Sequence, residues 1–237
     1  MLKNILKIII IFIIGMAGGI FATQILWPYF VERPFFYNQL PQNSPNVTDG
    51  KEIIIQENVA LQNTIVKVEK AVVGIITKTK SGQTITGSGL IVTSDGLMVT
   101  LAELLPQGEN FTFFVDGKVL NYQVLKRDLK NNLALVKIEG ENLTTVSFAN
   151  LEELKLGERI FLVGIIFDKE TPLKIVNEGI VKFFNNDYIR TNIFEKKTLS
   201  GSPLFNIKGE LVGLNTIDSE GKVTAISITK IRDFIKF

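Results

Sequence analysis

The sequence of 237 residues contains no histidine and no cysteine. Without cysteine the chain has no disulfide, no thiol nucleophile and no thiolate ligand for a metal ion. Without histidine it lacks the side chain that most often serves as a general base near neutral pH. These two absences exclude every mechanism that relies on imidazole or on a thiol, and we expect neither a metal site nor a cofactor.

The chain also lacks a large excess of positive or negative charge. The chain has 26 Lys and Arg against 24 Asp and Glu, which gives a net charge of +2. Nucleic-acid binding requires a strong basic excess or a basic stripe, so we expect no nucleic-acid partner. The hydrophobic share of 46% is typical of a folded protein and excludes a disordered one.

Residues 8–27 carry no charged side chain and are mostly apolar, and Lys3 and Lys7 precede them. A helix of this length, rising about 1.5 Å per residue, spans the roughly 30 Å hydrocarbon core of a bilayer. The positive-inside rule then makes residues 1–7 a cytoplasmic tip and places the body outside, in a bacterial extracytoplasmic compartment. A cleaved signal peptide is the alternative, although the run exceeds the usual apolar region of about 7 to 15 residues.

Residues 28–57 are predicted to be an extracytoplasmic stalk, because four of the seven prolines fall there. Residues 58–237 carry short runs of Val, Ile, Phe and Thr separated by turn pairs such as Ser81-Gly82 and Asp95-Gly96, which predicts an all-β domain. Apolar periodicity predicts short helices at its two ends, within residues 52–70 and 229–237.

Three segments of the folded part occur in a fixed order. They are Gly87-Ser88-Gly89-Leu90-Ile91-Val92 with Gly96 to Thr100, then Asn132-Leu133-Ala134-Leu135-Val136-Lys137-Ile138, and Ser200-Gly201-Ser202-Pro203-Leu204 with Gly209 to Gly213. Together they resemble the HtrA/DegP-type trypsin-like serine protease domain over residues 65–237. The resemblance implies two perpendicular, antiparallel, six-stranded β-barrels with the active site between them. Many relatives trimerise and carry a C-terminal PDZ domain; we expect no PDZ domain here, and a homo-oligomer stays an open alternative.

The resemblance also assigns positions to the catalytic triad. The family's histidine falls on Glu103, its aspartate on Asn132 and its nucleophile on Ser200, so only the serine is retained. The glycine and asparagine that precede the nucleophile in the family fall on Thr198 and Leu199, in the loop that forms the oxyanion hole.

These departures predict a membrane-anchored pseudoprotease. A serine hydroxyl is a weak nucleophile without an adjacent base, and a misaligned oxyanion loop further weakens transition-state stabilisation. We therefore expect no enzymatic activity and a role in binding or scaffolding an unidentified protein or extended peptide. Strand addition along Thr216, Ile217 and Asp218 is the predicted mode of peptide binding.

Two other functions stay open from the sequence. One is a serine endopeptidase in which Ser200 uses an unconventional base, Glu103 or one of Lys196 and Lys197. The other is a purely structural body on a tether. For the site itself we expect Glu103 to accept a hydrogen bond from the amide of Asn132, with a second from Ser200 left open. Neutral drift after loss of activity explains the same replacements equally well.

The orientation prediction is tested by adding a protease to intact cells. We expect digestion of the body after Gly50, with the N-terminal tip spared, because the two lysines hold that tip in the cytoplasm. Immunoblots against tags at the two ends measure this result. Full protection of the body would reverse the predicted orientation.

Overall fold

The computed structural model describes residues 2–22, 24 and 59–236. The chain divides into two units, Met1–Ile54 and Ile55–Phe237. In the first unit a helix, α1, extends over Leu2–Phe21. None of the helices in the described ranges is long and apolar enough to cross a membrane. The predicted membrane span includes residues 23 and 25–27, and the predicted stalk covers 28–57; these lie outside the described residues.

The second unit is built from β-strands with a short helix at each end. Helix α2 covers residues 59–68 and α3 covers Ile228–Ile235. The strands are β1 Val72–Lys78, β2 Thr84–Ile91, β3 Leu97–Thr100, β4 Asn110–Val115, β5 Lys118–Leu120, β6 Tyr122–Asp128, β7 Leu133–Ile138, β8 Arg159–Asp168, β9 Thr171–Phe184, β10 Tyr188–Phe194, β11 Pro203–Asn206, β12 Leu211–Ile217 and β13 Lys222–Ser227. Short 3-10 helices lie at Glu69–Ala71, Ala102–Leu104, Leu151–Glu153 and Lys197–Leu199. The all-β prediction with short flanking helices is confirmed.

The later strands form a closed six-stranded barrel in the order β10-β13-β12-β11-β8-β9. Its neighbouring strands pair antiparallel. The rings of Phe161 and Phe205, both fully buried, pack with their centroids 5.4 Å apart in its core. The second predicted barrel is therefore confirmed.

The earlier strands form an open, seven-stranded half-barrel in the order β5-β4-β1-β2-β3-β7-β6. The prediction of a six-stranded closed barrel here was wrong. Strands β5 and β6 are separated by Asn121 alone, so one stretch of chain passes from one edge of the sheet to the other. Its first part pairs with β4 and its second part with β7. Covalent continuity thus joins the edges where a closed barrel would have a hydrogen-bonded ladder.

A tight turn shows how the sequence sets this local structure. Asp116 and Gly117 connect β4 to β5 with φ values of 46° and 76°. Positive φ at both central residues matches the right-handed twist of the flanking strands, and Asp-Gly tolerates it well. The turn pairs Val115 with Lys118.

The half-barrel and the barrel are joined through the buried residue Ser88 of β2. Its backbone N–H donates to the carbonyl of Ser200 at 2.9 Å, and its hydroxyl oxygen accepts from the N–H of Ile165 in β8 at 2.9 Å. Its own carbonyl accepts from the hydroxyl of Thr100 at 2.7 Å. A fully buried polar residue is stabilising only when its groups are paired, and Ser88 meets that condition at three atoms.

Gly201 tests how closely the backbones of residues 88 and 201 approach each other. It has φ +79°, and a Cβ at residue 201 would overlap the carbonyl oxygen of Ser88. Gly82 has a similar φ of +83° but open space around a Cβ. We expect Gly201→Ala to lower the free energy of unfolding by about 1–3 kcal/mol more than Gly82→Ala, since only the first adds a clash to the cost of the left-handed backbone. Urea denaturation of both variants measures the difference. Equal losses of unfolding free energy would contradict close packing between residues 88 and 201.

Candidate functional site

A cavity of about 290 Å³ lies in the cleft between the half-barrel and the barrel. Its walls come from β2 and from the 3-10 helices Ala102–Leu104 and Lys197–Leu199. The lining residues include Thr84, Thr86, Glu103, Lys197, Thr198 and Ser200. The structure therefore brings Glu103 and Ser200, which are far apart in sequence, to one cavity.

Asn132 holds the backbone of the Glu103 turn. Its side-chain oxygen accepts a hydrogen bond from the backbone N–H of Glu103 at 2.9 Å, and its carbonyl accepts from the N–H of Ala102 at 3.1 Å. The expected bond from the Asn132 amide to the Glu103 carboxylate is not among the hydrogen bonds of the described residues; the Asn132 side chain instead accepts from the Glu103 backbone. Asn132 has φ +54°, a left-handed conformation that asparagine tolerates better than most residues.

The turn before Asn132 is organised by Asp128, a residue that the sequence analysis missed. One carboxylate oxygen accepts from the backbone N–H groups of Lys130 and Asn131, each at 3.0 Å. The other accepts from the side-chain amide of Asn131 at 2.6 Å, and this bond lowers the pKa of the Asp128 carboxyl. An aspartate that caps the N–H groups two and three residues later is a recognisable turn signal, so the Asp-x-x-Asn spacing was the available clue.

Ser200 is 1% exposed, and its hydroxyl oxygen has no hydrogen-bond partner among the described residues. Its backbone N–H donates to the carbonyl of Lys197 at 3.0 Å, which closes the 3-10 turn. An oxyanion hole needs N–H groups free to point at the developing charge. In this conformation the hydroxyl has no base, and the N–H of the same residue is already bonded.

Three further residues of the loop before Ser200 had been assigned from the sequence. Lys197 and Thr198 are exposed and line the cavity, whereas Leu199 is buried. A Cβ at Gly164 of β8 would overlap the Leu199 side chain, so Leu199 packs directly against this strand. Lys196 is exposed as well, and neither lysine amine bonds to the Ser200 hydroxyl.

The predicted peptide-binding residues lie at the end of β12. The ladder with β11 stops at Leu214, so Thr216 and Ile217 extend beyond it. Thr216 is half-buried and donates through its hydroxyl to the carbonyl of Thr224 in β13. The carboxylate of Asp218 accepts from the N–H groups of the following turn and serves as a turn former. None of these three residues is among those that line the cavity.

Acidic side chains do not gather into a metal site in the part of the chain that the structure describes. The cavity itself contributes a single carboxylate, from Glu103, and one amine, from Lys197. Nothing in this set of side chains indicates a preference for a particular cofactor.

The family model of the trypsin-like peptidase domain matches residues 87–214, more than half of the chain. The chain belongs to this family. The matched range contains Glu103, Asn132 and Ser200, the three positions to which the resemblance in sequence assigned the triad.

Relatives identify the branch of the family as HtrA-type. A DegP-like periplasmic serine endoprotease of Pseudomonas putida is 35% identical over 109 residues, covering 43% of this chain and 22% of its own length. Serine protease HTRA1 of Xenopus laevis is 32% identical over 134 residues, covering 51% of this chain and 28% of its own. The aligned part thus spans only about a quarter of these curated relatives.

Solved structures share the fold. An HtrA-type protease, AlgW, determined with a tripeptide, superposes with a TM-score of 0.65 and 23% identity over 74% of this chain and 62% of its own. A serine endoprotease of Yersinia pestis gives the same TM-score at 21% identity. The trypsin-like architecture is therefore shared even where identity is low.

Substitution of Asn132 separates two contributions to stability: its side-chain hydrogen bond and its tolerance of a left-handed backbone. We expect Asn132→Gly to cost about 1 kcal/mol of unfolding free energy, because it loses the side-chain hydrogen bond but tolerates the left-handed backbone. Asn132→Ala is expected to cost about 1 kcal/mol more, since alanine pays for positive φ as well. Chemical denaturation measures both values. Equal stability of the wild type and both variants would show that the turn does not depend on Asn132.

Proposed function

We propose that this trypsin-like domain is an extracytoplasmic pseudoprotease that binds a protein or an extended peptide without cutting it. The observation on which the proposal rests is the Ser200 hydroxyl, which is buried and has no partner among the described residues to take its proton. The chain also contains no histidine, so no movement of a loop can supply an imidazole.

The expected loss of rate without a histidine base and an oxyanion-hole donor supports the absence of peptide-bond hydrolysis. In the serine protease subtilisin, removal of the catalytic histidine lowers kcat by roughly 10⁶. Loss of one oxyanion-hole donor costs about a further 10² to 10³, and the N–H of Ser200 is bonded to Lys197. A carboxylate such as that of Glu103 is a much weaker base than imidazole near neutral pH and recovers little of this loss.

The retained cleft supports binding. The cavity borders the part of β2 that does not pair with β3, and an extended peptide can add to such an edge through main-chain hydrogen bonds. The related AlgW structure was determined with a tripeptide. Periplasmic relatives support an extracytoplasmic location. The bilayer anchor over residues 8–27 stays a prediction from the sequence, and the helices of the structure do not add to it.

A serine endopeptidase is the second candidate, because Ser200 shares its cavity with Glu103 and Lys197. Such an enzyme would require the Ser200 hydroxyl to become exposed and to meet one of these groups as its base. The two candidates therefore differ in one measurable property, the reactivity of a single hydroxyl.

Casein hydrolysis and a fluorophosphonate probe test that property on the purified full chain. We expect no cleavage of casein and no labelling of Ser200, with Ser200→Ala as the matched control. Casein cleavage by the wild type that disappears in Ser200→Ala would overturn the pseudoprotease proposal and favour the endopeptidase.

Restoring the family's base alone is also expected to fail. In Glu103→His the imidazole would have Asn132 and no carboxylate to orient it, and the Ser200 N–H would still be bonded to Lys197. We expect casein hydrolysis by this variant to stay at the level of the buffer. Activity above that level would show that the base is the sole missing component.

A further inference from the structure

The replacement of the family's histidine leaves an unpaired negative charge in the cavity. Among the described residues that line it, Glu103 alone carries a carboxylate. Glu103 is exposed, and the hydrogen bond at its position involves its backbone N–H and not its carboxylate. Two hydrogen bonds to Asn132 fix the backbone of this turn, so the point from which the Glu103 side chain extends is held before any ligand arrives.

One wall of the cavity is a strand edge, that of β2. Strand β2 pairs with β1 over Thr84–Leu90, but with β3 only from Gly89 onward. The N–H of Ser88 points away from β1, toward Ser200. Because backbone groups alternate along an antiparallel strand, those of Thr84 and Thr86 point to the same side as Ser88 and face the cavity edge. These groups are available to an added strand.

The second charged group of the cavity is less well fixed than Glu103. Lys197 is exposed, and its ammonium ends a flexible four-carbon chain. It can therefore turn toward solvent when a cation enters. The Glu103 side chain is shorter, and its backbone is held by Asn132.

We infer that this cavity binds a basic residue of an extended peptide, with the ammonium or guanidinium group contacting Glu103 and the peptide backbone pairing with Thr84 and Thr86. The inference rests on the proposed function, since it requires that the domain bind peptides. It adds the chemical class of the bound side chain and gives the residue at the lost base position a role in recognition. A charge-assisted hydrogen bond to the Glu103 carboxylate supplies the selectivity.

The experiment uses hexapeptides with blocked ends, of sequence Ala-Ala-Xaa-Ala-Thr-Ala, in which Xaa is Arg, Lys, Gln, Leu or Glu. Calorimetric titration into the purified full chain measures each dissociation constant. We expect the Arg and Lys peptides to bind about tenfold more tightly than the Gln peptide, the amount that one charge-assisted hydrogen bond provides. The preference should shrink in about 0.5 M salt, where the Debye length is only a few ångströms.

Variants assign the preference to one side chain. Glu103→Gln has the same shape and is expected to bind the Arg and Gln peptides equally. Glu103→Arg is expected to prefer the Glu peptide. The matched control is Glu152→Gln, which removes an exposed carboxylate outside the cavity and should keep the tenfold preference. Thermal melting of each variant verifies that it is folded.

The outcomes separate this inference from the proposed function. Equal binding of all five peptides by the wild type, or a preference that persists in Glu103→Gln, would overturn the role of Glu103 while leaving peptide binding intact. Absence of binding by every peptide would overturn both. Casein cleavage would remove the pseudoprotease reading alone, because a protease also selects its peptides.

Discussion

The arrangement of this domain depends on the hydrogen bonds of one buried serine. Ser88 belongs to the half-barrel, and it bonds at once to β8 of the barrel and to the carbonyl of Ser200. Glycine at residues 87 and 201 lets the two backbone segments approach. A Cβ at residue 87 would overlap the carbonyl oxygen of Ser200, and one at residue 201 would overlap that of Ser88. The cleft is therefore a consequence of close backbone packing, and it persists without any catalytic group.

This constraint explains how the site keeps its shape while its chemistry changes. The backbone of Glu103 is held by Asn132 and that of Ser200 by Ser88, and none of these bonds involves the side chain of Glu103 or the hydroxyl of Ser200. The side chains at the base and nucleophile positions are thus decoupled from the scaffold. A cleft whose backbone is held in this way, with an exposed carboxylate at Glu103, is suited to recognition of a cation.

Local signals in the sequence predicted local structure well. Turn pairs such as Asp116-Gly117 marked the ends of strands because few residues adopt positive φ. The same signals do not specify which edges meet, and so the first sheet was predicted to close when the chain through Asn121 joins its edges instead. The role of Asn132 was misassigned for a related reason: an amide both donates and accepts, and only its neighbours select between the two.

The sequence by itself determined which reactive groups the protein lacks. A chain without histidine and cysteine has no imidazole and no thiol in any conformation, and the order of the three motifs was sufficient to predict the trypsin-like fold. Tertiary structure alone decided that the Ser200 hydroxyl is buried with no partner among the described residues, that the Ser200 N–H bonds to Lys197, and that Thr84 and Glu103 line one cavity. Burial and hydrogen-bond direction depend on residues distant in sequence, which approach one another only when the two halves pack.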